Sequence, residues 1–284
     1  MRRLASLSCL LFCLLLLSCV SPAVADDGLL REMGTMVVDD YDPACCYFPD
    51  LAGQPFRDSL RARLLQSGGW QEVPPFPLDN QACISDQIEV DGDNLGDRVD
   101  FFYWQGQSFI GNGSYSTQLH MVSDHPRMCE CYRDCGNVVH DECRWGADDC
   151  EVALVDTCEW LRNWNNQAII AEIKKMHAGS HLHLGYATLC YVSGKQTPAT
   201  AGNAFGWRLL GRQPGNPHPI YLAWLNTVCA YQPSGVIGRV SLWQGDCHND
   251  YFQGNWRGWS YGGQPPVCTD QNLDEFDFID AVSP

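Results

Sequence analysis

Residues 152–159 read Val-Ala-Leu-Val-Asp-Thr-Cys-Glu, an apolar run that changes abruptly to polar residues. A run without alternation between apolar and polar side chains is typical of a strand whose sheet is covered on both faces. Residues 99–104, Val-Asp-Phe-Phe-Tyr-Trp, are a second candidate, rich in the aromatic residues that strands favour. They lead into Gln-Gly-Gln-Ser at residues 105–108. The sequence therefore predicts two buried strands, each followed by a polar turn.

Around these two runs, strands alternate with amphipathic helices. Apolar segments predict further strands at residues 35–38, 181–186 and 236–242, of which the last is expected to be the final strand. Three sets of apolar residues recur at helical spacing, namely Phe56, Leu60 and Leu64; Leu161, Ile169, Ile170, Ile173 and Met176; and Ile220, Trp224, Leu225 and Val228. Strands separated by helices indicate an α/β protein with a mostly parallel sheet.

The N-terminal segment predicts export. Two arginines precede an apolar run at residues 10–17, and Ala-Val-Ala at 23–25 places small residues where a signal peptidase reads them. The apolar run is shorter than the roughly 20 residues that span a bilayer. We therefore expect a signal peptide at residues 1–25 and a mature chain that is secreted, periplasmic or extracellular. A lipoprotein signal that ends at Cys19 is a second interpretation of the same segment.

The mature chain has a length that fits one large domain, which we expect at residues 26–268. A cysteine-rich insertion at 129–150 interrupts it, and an acidic tail at 269–284, expected to be mobile, follows it. The net charge of −16 disfavours phosphate backbones and anionic membranes. We therefore expect no nucleic acid and, after signal cleavage, no membrane as a partner. A protein or peptide ligand is compatible with the charge.

Cysteine is abundant, with 16 in the whole sequence. Three of them, Cys9, Cys13 and Cys19, lie in the signal peptide, which leaves 13 in the mature chain. Disulfides are the default state of cysteines in an oxidising compartment, and each stabilises a fold by roughly 2–4 kcal/mol. Because 13 is odd, complete pairing within one chain would give six disulfides and leave one thiol.

The order of these motifs resembles that of the caspase, metacaspase and gingipain-like cysteine peptidases. In those proteins a strand ends in Ser-Gly-His-Gly and, about fifty residues later, a second strand ends in Asp-x-Cys. The chain is most similar to a secreted bacterial group of that fold, over residues 36–243. The supporting segments are Gly-Trp at 69–70, residues 179–185, and an Ala-Trp helix that leads into Gln-Pro-Ser-Gly at 232–235. The resemblance implies a caspase-like three-layer sandwich with a mostly parallel sheet, stapled here by disulfides.

The resemblance also implies roles for individual residues. Cys158 corresponds to the nucleophile, and the backbone N–H groups of Ser108 and Cys158 correspond to the donors that stabilise the oxyanion. Asp156 corresponds to the residue that binds a basic P1 side chain. Gln107, however, stands where the family has its histidine. A glutamine amide cannot accept and return a proton near neutral pH, and loss of general acid–base catalysis typically costs 10²–10⁴-fold in rate.

We therefore expect a pseudopeptidase-like binding or structural protein. The alternative is an active cysteine peptidase that uses Cys158 and prefers basic P1 residues. His120 or His125, both of which follow the Gln107 turn, would then replace the missing base. For Cys158 a third interpretation stays open, because a buried or disulfide-bonded cysteine needs no chemical role.

Other histidines and the metal-like motifs have simpler interpretations. His181 and His183 lie on a predicted core strand, where a hydrogen-bonded structural role is expected rather than catalysis. No cofactor is expected, although two motifs carry ligand-type residues. The zinc-type set is Cys131, Cys135, His140 and Cys143, for which disulfides are the ordinary alternative. The calcium-type set is Asp91, Asp93 and Asp97, in which Leu95 replaces an oxygen ligand.

Overall fold

The computed structural model of the protein describes fourteen segments, residues 31–37, 54–66, 70–73, 95–106, 108–110, 117–119, 138–139, 143–146, 150–162, 166–178, 180–191, 195–210, 219–243 and 276–284. Their helices are α1 (Gln54–Gln66), α2 (Gln167–Met176), α3 (Pro198–Leu209) and α4 (Ile220–Tyr231). The strands are β1 (Glu32–Val37), β2 (Gln71–Glu72), β3 (Phe101–Gln105), β4 (Ser108–Ile110), β5 (Thr117–Leu119), β6 (Val138–Val139), β7 (Val152–Asp156), β8 (Leu182–Tyr186), β9 (Ile237–Trp243) and β10 (Phe276–Val282). The predicted signal peptide, 1–25, lies outside these segments.

Seven strands form the main sheet, in the order β10-β9-β8-β7-β3-β1-β2. The five strands from β8 to β2 are parallel to their neighbours, whereas β9 is antiparallel to β8 and β10 to β9. A second sheet of three short antiparallel strands, β4-β5-β6, follows β3 and includes residues 138–139 of the predicted cysteine-rich insertion. The predicted α/β class with a mostly parallel sheet is therefore confirmed.

The prediction that residues 236–242 form the final strand is wrong. β10 follows β9 and pairs with it over its whole length, from Phe276 opposite Trp243 to Val282 opposite Ile237. Its sequence, Phe-Asp-Phe-Ile-Asp-Ala-Val, has two acidic residues among apolar ones, and its phenylalanines pack against the core. Part of the segment predicted as an acidic tail, 269–284, is therefore a strand of the main sheet.

Apolar side chains from alternate strand positions fill a core on each face of the sheet. In β3, Phe101 and Tyr103 belong to the core that α1, α3 and α4 cover, and Phe102 and Trp104 belong to the core that α2 covers. All four side chains are fully buried. A strand buried on both faces carries no polar alternation, which explains the continuous apolar runs in the sequence.

Helix α3 packs closely against α1, although the apolar pattern did not predict it. A Cβ atom at Gly202 would lie 2.2 Å from the backbone oxygen of Phe56, and one at Gly206 would lie 2.8 Å from Cβ of Arg63. Glycine is required at these positions because the two helix backbones approach so closely. The contact fixes α3 beside the carboxyl ends of the central strands.

Three further observations concern the remaining predictions. The helix expected from Leu161 begins only at Gln167, and Ile170 on it is half-buried rather than in the core. No helix in the described segments is both long enough and apolar enough to cross a membrane. Of the described cysteines, Cys158, Cys190 and Cys229 carry free thiols. The expected disulfides thus stay a prediction.

Candidate functional site

A cleft of about 200 Å³ opens where β3, β7 and β8 reach their carboxyl ends. In open α/β sheets, ligands bind outside the carboxyl ends of the strands. The first turn of α3 and the second half of α4 form the opposite wall, with Trp224 and Tyr231 among its side chains. In the described part of its lining, Asp156 is the only residue with a charged side chain.

Asp156 is the last residue of β7, and its carboxylate lies on the same side of the sheet as Leu154. The hydroxyl of Tyr103, on the neighbouring strand, donates a hydrogen bond to Oδ2 of Asp156 at 3.0 Å. Burial raises the pKa of Asp156 to about 6, and the Tyr103 hydrogen bond opposes that rise. No cationic group in the described part of the chain pairs with this carboxylate.

Gln105 provides a second acceptor beside Asp156. It is the register partner of Asp156 across β3 and β7, lines the cleft and is 2% exposed. Its Oε1 atom accepts no hydrogen bond from any described residue. A buried acceptor without a donor costs about 1–3 kcal/mol, and a ligand with N–H groups would recover that cost. The cleft therefore offers two acceptors to a donor-rich ligand.

Two thiols lie in contact on the same cleft. Sγ of Cys158 is 3.4 Å from Sγ of Cys190, and the backbone N–H of Cys190 donates to Cys158 Sγ at 3.2 Å. The side-chain hydrogen bond from Cys190 lowers the pKa of Cys158 to about 7, in spite of the opposing effect of burial. The hydrogen bond with Cys158, together with burial, raises the pKa of Cys190 well above its ordinary value. Cys158 is therefore the thiol that ionises first.

The turn after β3 lies against the turn after β7. The hydroxyl of Ser108 donates a hydrogen bond to the backbone oxygen of Cys158. The backbone N–H of Cys158 makes no hydrogen bond to any residue that the structure describes, and Glu159 next to it has a positive φ of 58°. Gln107, predicted to face Cys158, lies outside the described residues. So do His120 and His125.

The described histidines lie at the opposite end of the sheet. His181 pairs with Glu151 at 3.1 Å, and His183 makes a 2.5 Å hydrogen bond with the hydroxyl of Ser180. Both side chains are buried and make these contacts, which confirms the predicted burial and hydrogen bonding; a purely structural role stays a prediction. His177, which the sequence analysis did not single out, joins them with its ring centroid 3.9 Å from that of His183. None of the described cleft-lining residues is a histidine.

The two metal-type motifs fall largely on residues that the structure does not describe. Asp91, Asp93, Cys131, Cys135 and His140 are all among these. Of the remaining candidates, Asp97 is buried and accepts a hydrogen bond from the N–H of Gly146, and Cys143 is buried. The described residues contain no cluster of three or more His, Cys, Asp or Glu that could hold a metal ion. Both metal interpretations stay predictions.

Sequence reasoning missed two residues of the cleft, Gln105 and Cys190, and also Tyr103, whose hydroxyl bonds to Asp156. Tyr103 and Gln105 lie on a predicted strand, and their even spacing from Phe101 could have placed them on one face. For Cys190 the sequence offered only a weak signal, namely its position a few residues after the strand predicted at 181–186. Its contact with Cys158 depends on the pairing of β7 with β8, which local sequence does not specify.

Comparison with known proteins identifies one family. A family model described as a domain of unknown function, DUF6345, matches residues 65–262, which is more than half of the chain. The matched segment contains all the cleft residues named above, including Asp156, Cys158 and Cys190. No curated protein matches the chain.

Proposed function

The chain belongs to the DUF6345 family, and from that premise we propose that it is an exported protein of caspase-like fold that binds a basic side chain. The ligand would be an arginine or lysine side chain of a peptide or protein. In this proposal the cleft holds the side chain against Asp156 without cleaving the ligand. The protein is thus a pseudopeptidase-like binding protein, stapled by disulfides outside the cleft.

One observation carries the proposal: a carboxylate with a single hydrogen-bond donor lies in a cleft without a cation in its described lining. Keeping Asp156 ionised there is costly, as its raised pKa reflects. A guanidinium or ammonium group would stabilise the ionised form and satisfy Gln105 Oε1 as well. Charge-assisted hydrogen bonds of this kind contribute about 1.5–3 kcal/mol each.

The walls of the cleft also favour an organic cation. Tyr186, Tyr191 and Tyr231 line the cleft, and Tyr191 is 51% exposed. Aromatic faces attract cations, by about 0.5–1 kcal/mol at exposed sites and more when water is excluded. An aliphatic stem that ends in a charged head fits an aromatic wall with a carboxylate at its base.

The absence of cleavage follows from the sequence at the turn after β3. Gln107 stands at the position of the general base, and no histidine occurs in the described lining. The caspase-like arrangement draws support from the parallel pairing of β3 with β7 and from the Ser108–Cys158 contact between their turns. A cleft that binds a ligand without cleaving it needs no general base. This would explain why Asp156 and Cys158 are present while glutamine replaces histidine at position 107.

The proposal is tested by calorimetric titration of the mature protein with N-acetyl-arginine amide. The control ligand is N-acetyl-citrulline amide, which has nearly the same shape without the charge. We expect the arginine ligand to bind at pH 7.5 and the Asp156→Asn variant to bind it about tenfold or more weakly, since a charged hydrogen bond is lost. Asp280→Asn, which removes an exposed carboxylate on β10, is the matched control and should bind normally. Equal binding of both ligands, or unchanged binding by Asp156→Asn, would refute the proposal.

A second candidate function is an active cysteine peptidase with a preference for basic P1 residues. The observation that favours it is the lowered pKa of Cys158, about 7, which makes a substantial thiolate fraction available near neutral pH. His120 or His125 would have to supply the proton to the leaving group.

These two functions differ in amide hydrolysis. The binding proposal predicts no hydrolysis of a blocked arginine 4-nitroanilide by the natural protein, with Cys158→Ala as the blank. Hydrolysis that disappears in Cys158→Ala and in either His120→Ala or His125→Ala would favour the peptidase instead. Gln107→His supplies the base that the caspase-like peptidases have and should raise iodoacetamide labelling of Cys158 at pH 6–7.

A further inference from the structure

Neither proposed function uses Cys190 as a reactant, although its sulfur atom is in contact with that of Cys158. Their sulfur atoms are 3.4 Å apart, and a disulfide bond is 2.03–2.05 Å long. A side-chain movement of about 1.4 Å would therefore form the bond. Both cysteines line the cleft, so a small molecule can reach the sulfur atoms.

The backbone on each side of this pair is fixed by hydrogen bonds. The N–H of Glu159 donates to the backbone oxygen of Thr188 at 2.9 Å and ties the two segments together between the cysteines. Beyond Cys190, the side chain of Gln232 bonds to both the N–H and the oxygen of Tyr191, each at 3.0 Å. The contact of the two sulfurs is thus a feature of the folded chain and does not depend on a ligand.

We infer that Cys158 and Cys190 form a thiol–disulfide exchange site whose substrates are low-molecular-mass disulfides. Cys158 is the attacking thiol and Cys190 is the resolving thiol. This inference does not rest on the binding of a basic side chain, because the chemistry needs only the two sulfurs and access through the cleft.

The reaction proceeds in two balanced steps. The Cys158 thiolate attacks one sulfur of a disulfide RSSR, which forms a mixed disulfide on Cys158 and releases one RS⁻. Cys190 then loses its proton and attacks Sγ of Cys158, which releases the second RS⁻ and forms the Cys158–Cys190 disulfide. The two released thiolates carry the electrons, so RSSR is reduced to two thiols while the two cysteines are oxidised.

The surroundings distinguish the two roles. Because the Cys158 thiolate has no proton to donate, it accepts hydrogen bonds from the N–H of Cys190 and, across the 3.4 Å contact, from the S–H of Cys190. The same contact holds the proton on Cys190 until Cys158 has lost its charge by reaction. Once the mixed disulfide exists, the sulfur of Cys190 is already in contact with Sγ of Cys158, which it must attack.

The test uses bis(2-hydroxyethyl) disulfide, which is neutral and therefore does not depend on Asp156. The mature protein is reduced mildly under native conditions, so that Cys158 and Cys190 become thiols while its other disulfides are kept, and its cysteines are assigned by differential alkylation and peptide mapping. We expect the natural protein to form the Cys158–Cys190 disulfide without retaining the reagent. Cys190→Ser should retain one reagent moiety on Cys158, and Cys158→Ser should leave Cys190 unmodified over the same time. Cys229→Ser, which removes a described thiol outside the cleft, should behave as the natural protein does.

The dependence on pH adds a measurement that needs no substitution. With a pKa of about 7, the rate at Cys158 should rise about tenfold between pH 6 and pH 8, whereas an ordinary thiol with a pKa of 9.0 would gain nearly a hundredfold. Three results would overturn the inference. They are a stable mixed disulfide on Cys158 in the natural protein, pairing of Cys158 or Cys190 with other cysteines, and reaction of Cys190 at an unchanged rate in Cys158→Ser.

Discussion

The two ends of the central sheet use polar residues in opposite ways. At the amino end of β8, His177, His181 and His183 are buried with Ser180, Ser241 and Glu151, and hydrogen bonds or an ion pair join them. At the carboxyl end, Asp156 has one hydrogen-bond donor and Cys158 lies beside a second thiol in an open cleft. The described histidines thus belong to the core, whereas the candidate chemistry lies at the cleft, where no described cationic group pairs with Asp156.

The two ends of the sheet also differ in the direction in which burial shifts the pKa of a titratable group. Burial lowers the pKa of His177 to about 3, so this ring is neutral in the folded protein. Burial raises the pKa of Asp156 to about 6. Acid therefore destabilises the fold through His177, because the unfolded chain takes up a proton that the folded one refuses. Acid stabilises the fold through Asp156, because there the folded chain binds the proton more tightly.

The largest expected effect is that of His177→Ala on stability. The ring is 5% exposed, contacts His183, and makes a 2.8 Å hydrogen bond with Ser241 Oγ. Loss of a buried ring costs about 3–5 kcal/mol in free energy of unfolding, which urea unfolding at pH 7 would measure. Ser241→Ala, which removes the bond and keeps the ring, should cost about 1–3 kcal/mol. A cost below that of Ser241→Ala would mean that the ring is not part of the core.

The pH profile sharpens this prediction. Between pH 7 and pH 5, protonation of His177 in the unfolded chain should reduce the stability of the natural protein by about 2 kcal/mol. This part of the acid sensitivity is lost in His177→Ala. If the variant keeps the same slope against pH, another group causes the sensitivity.

A smaller effect of opposite sign is expected from Asp156→Asn. At pH 7 the variant should be more stable than the natural protein by about 1–3 kcal/mol, since the shift from 3.8 to about 6 is a cost of ionisation in the folded state. The gain should shrink as the pH falls from 6 to 4. Asp280→Asn, on an exposed edge, is the control and should show no such gain. A loss of stability at pH 7 would show that a cation already pairs with Asp156.

The smallest effect is expected from Cys158→Ser. Its side chain is only half-buried, so the free energy of unfolding of the reduced protein should change by less than about 0.5 kcal/mol. Thiol reactivity in the cleft should nevertheless disappear. A loss of several kcal/mol would identify Cys158 as a structural residue and remove the contrast between the two ends of the sheet.

Sequence reasoning was strongest where burial on both faces leaves a continuous apolar run. β3 and β7 were predicted for that reason, and the resemblance to the caspase-like peptidases then singled out Asp156 and Cys158 where β7 ends. It failed for α3, because Gly202 and Gly206 lower helix propensity and their purpose is a contact with α1 that local sequence cannot specify. Thr197, whose hydroxyl caps α3 ahead of Pro198, was a signal that could have predicted the helix start.

It also failed for the second thiol. Cys190 is 32 residues from Cys158, and their contact requires the pairing of β7 with β8 and the Glu159–Thr188 hydrogen bond. Thirteen mature cysteines allow many pairings, and none is favoured by spacing alone. The opposite holds for His181 and His183. The strand pattern alone predicted that they are buried, although it did not predict which residues they contact.

The most direct test of the account is the titration of the Asp156 carboxyl carbon by NMR in the mature protein, with and without N-acetyl-arginine amide. We predict a pKa of about 6 in the free protein, as burial requires, and a clear fall when the arginine ligand saturates the cleft. N-acetyl-citrulline amide should leave the pKa unchanged. A pKa that is the same with and without the arginine ligand would contradict the assignment of this cleft to a basic side chain.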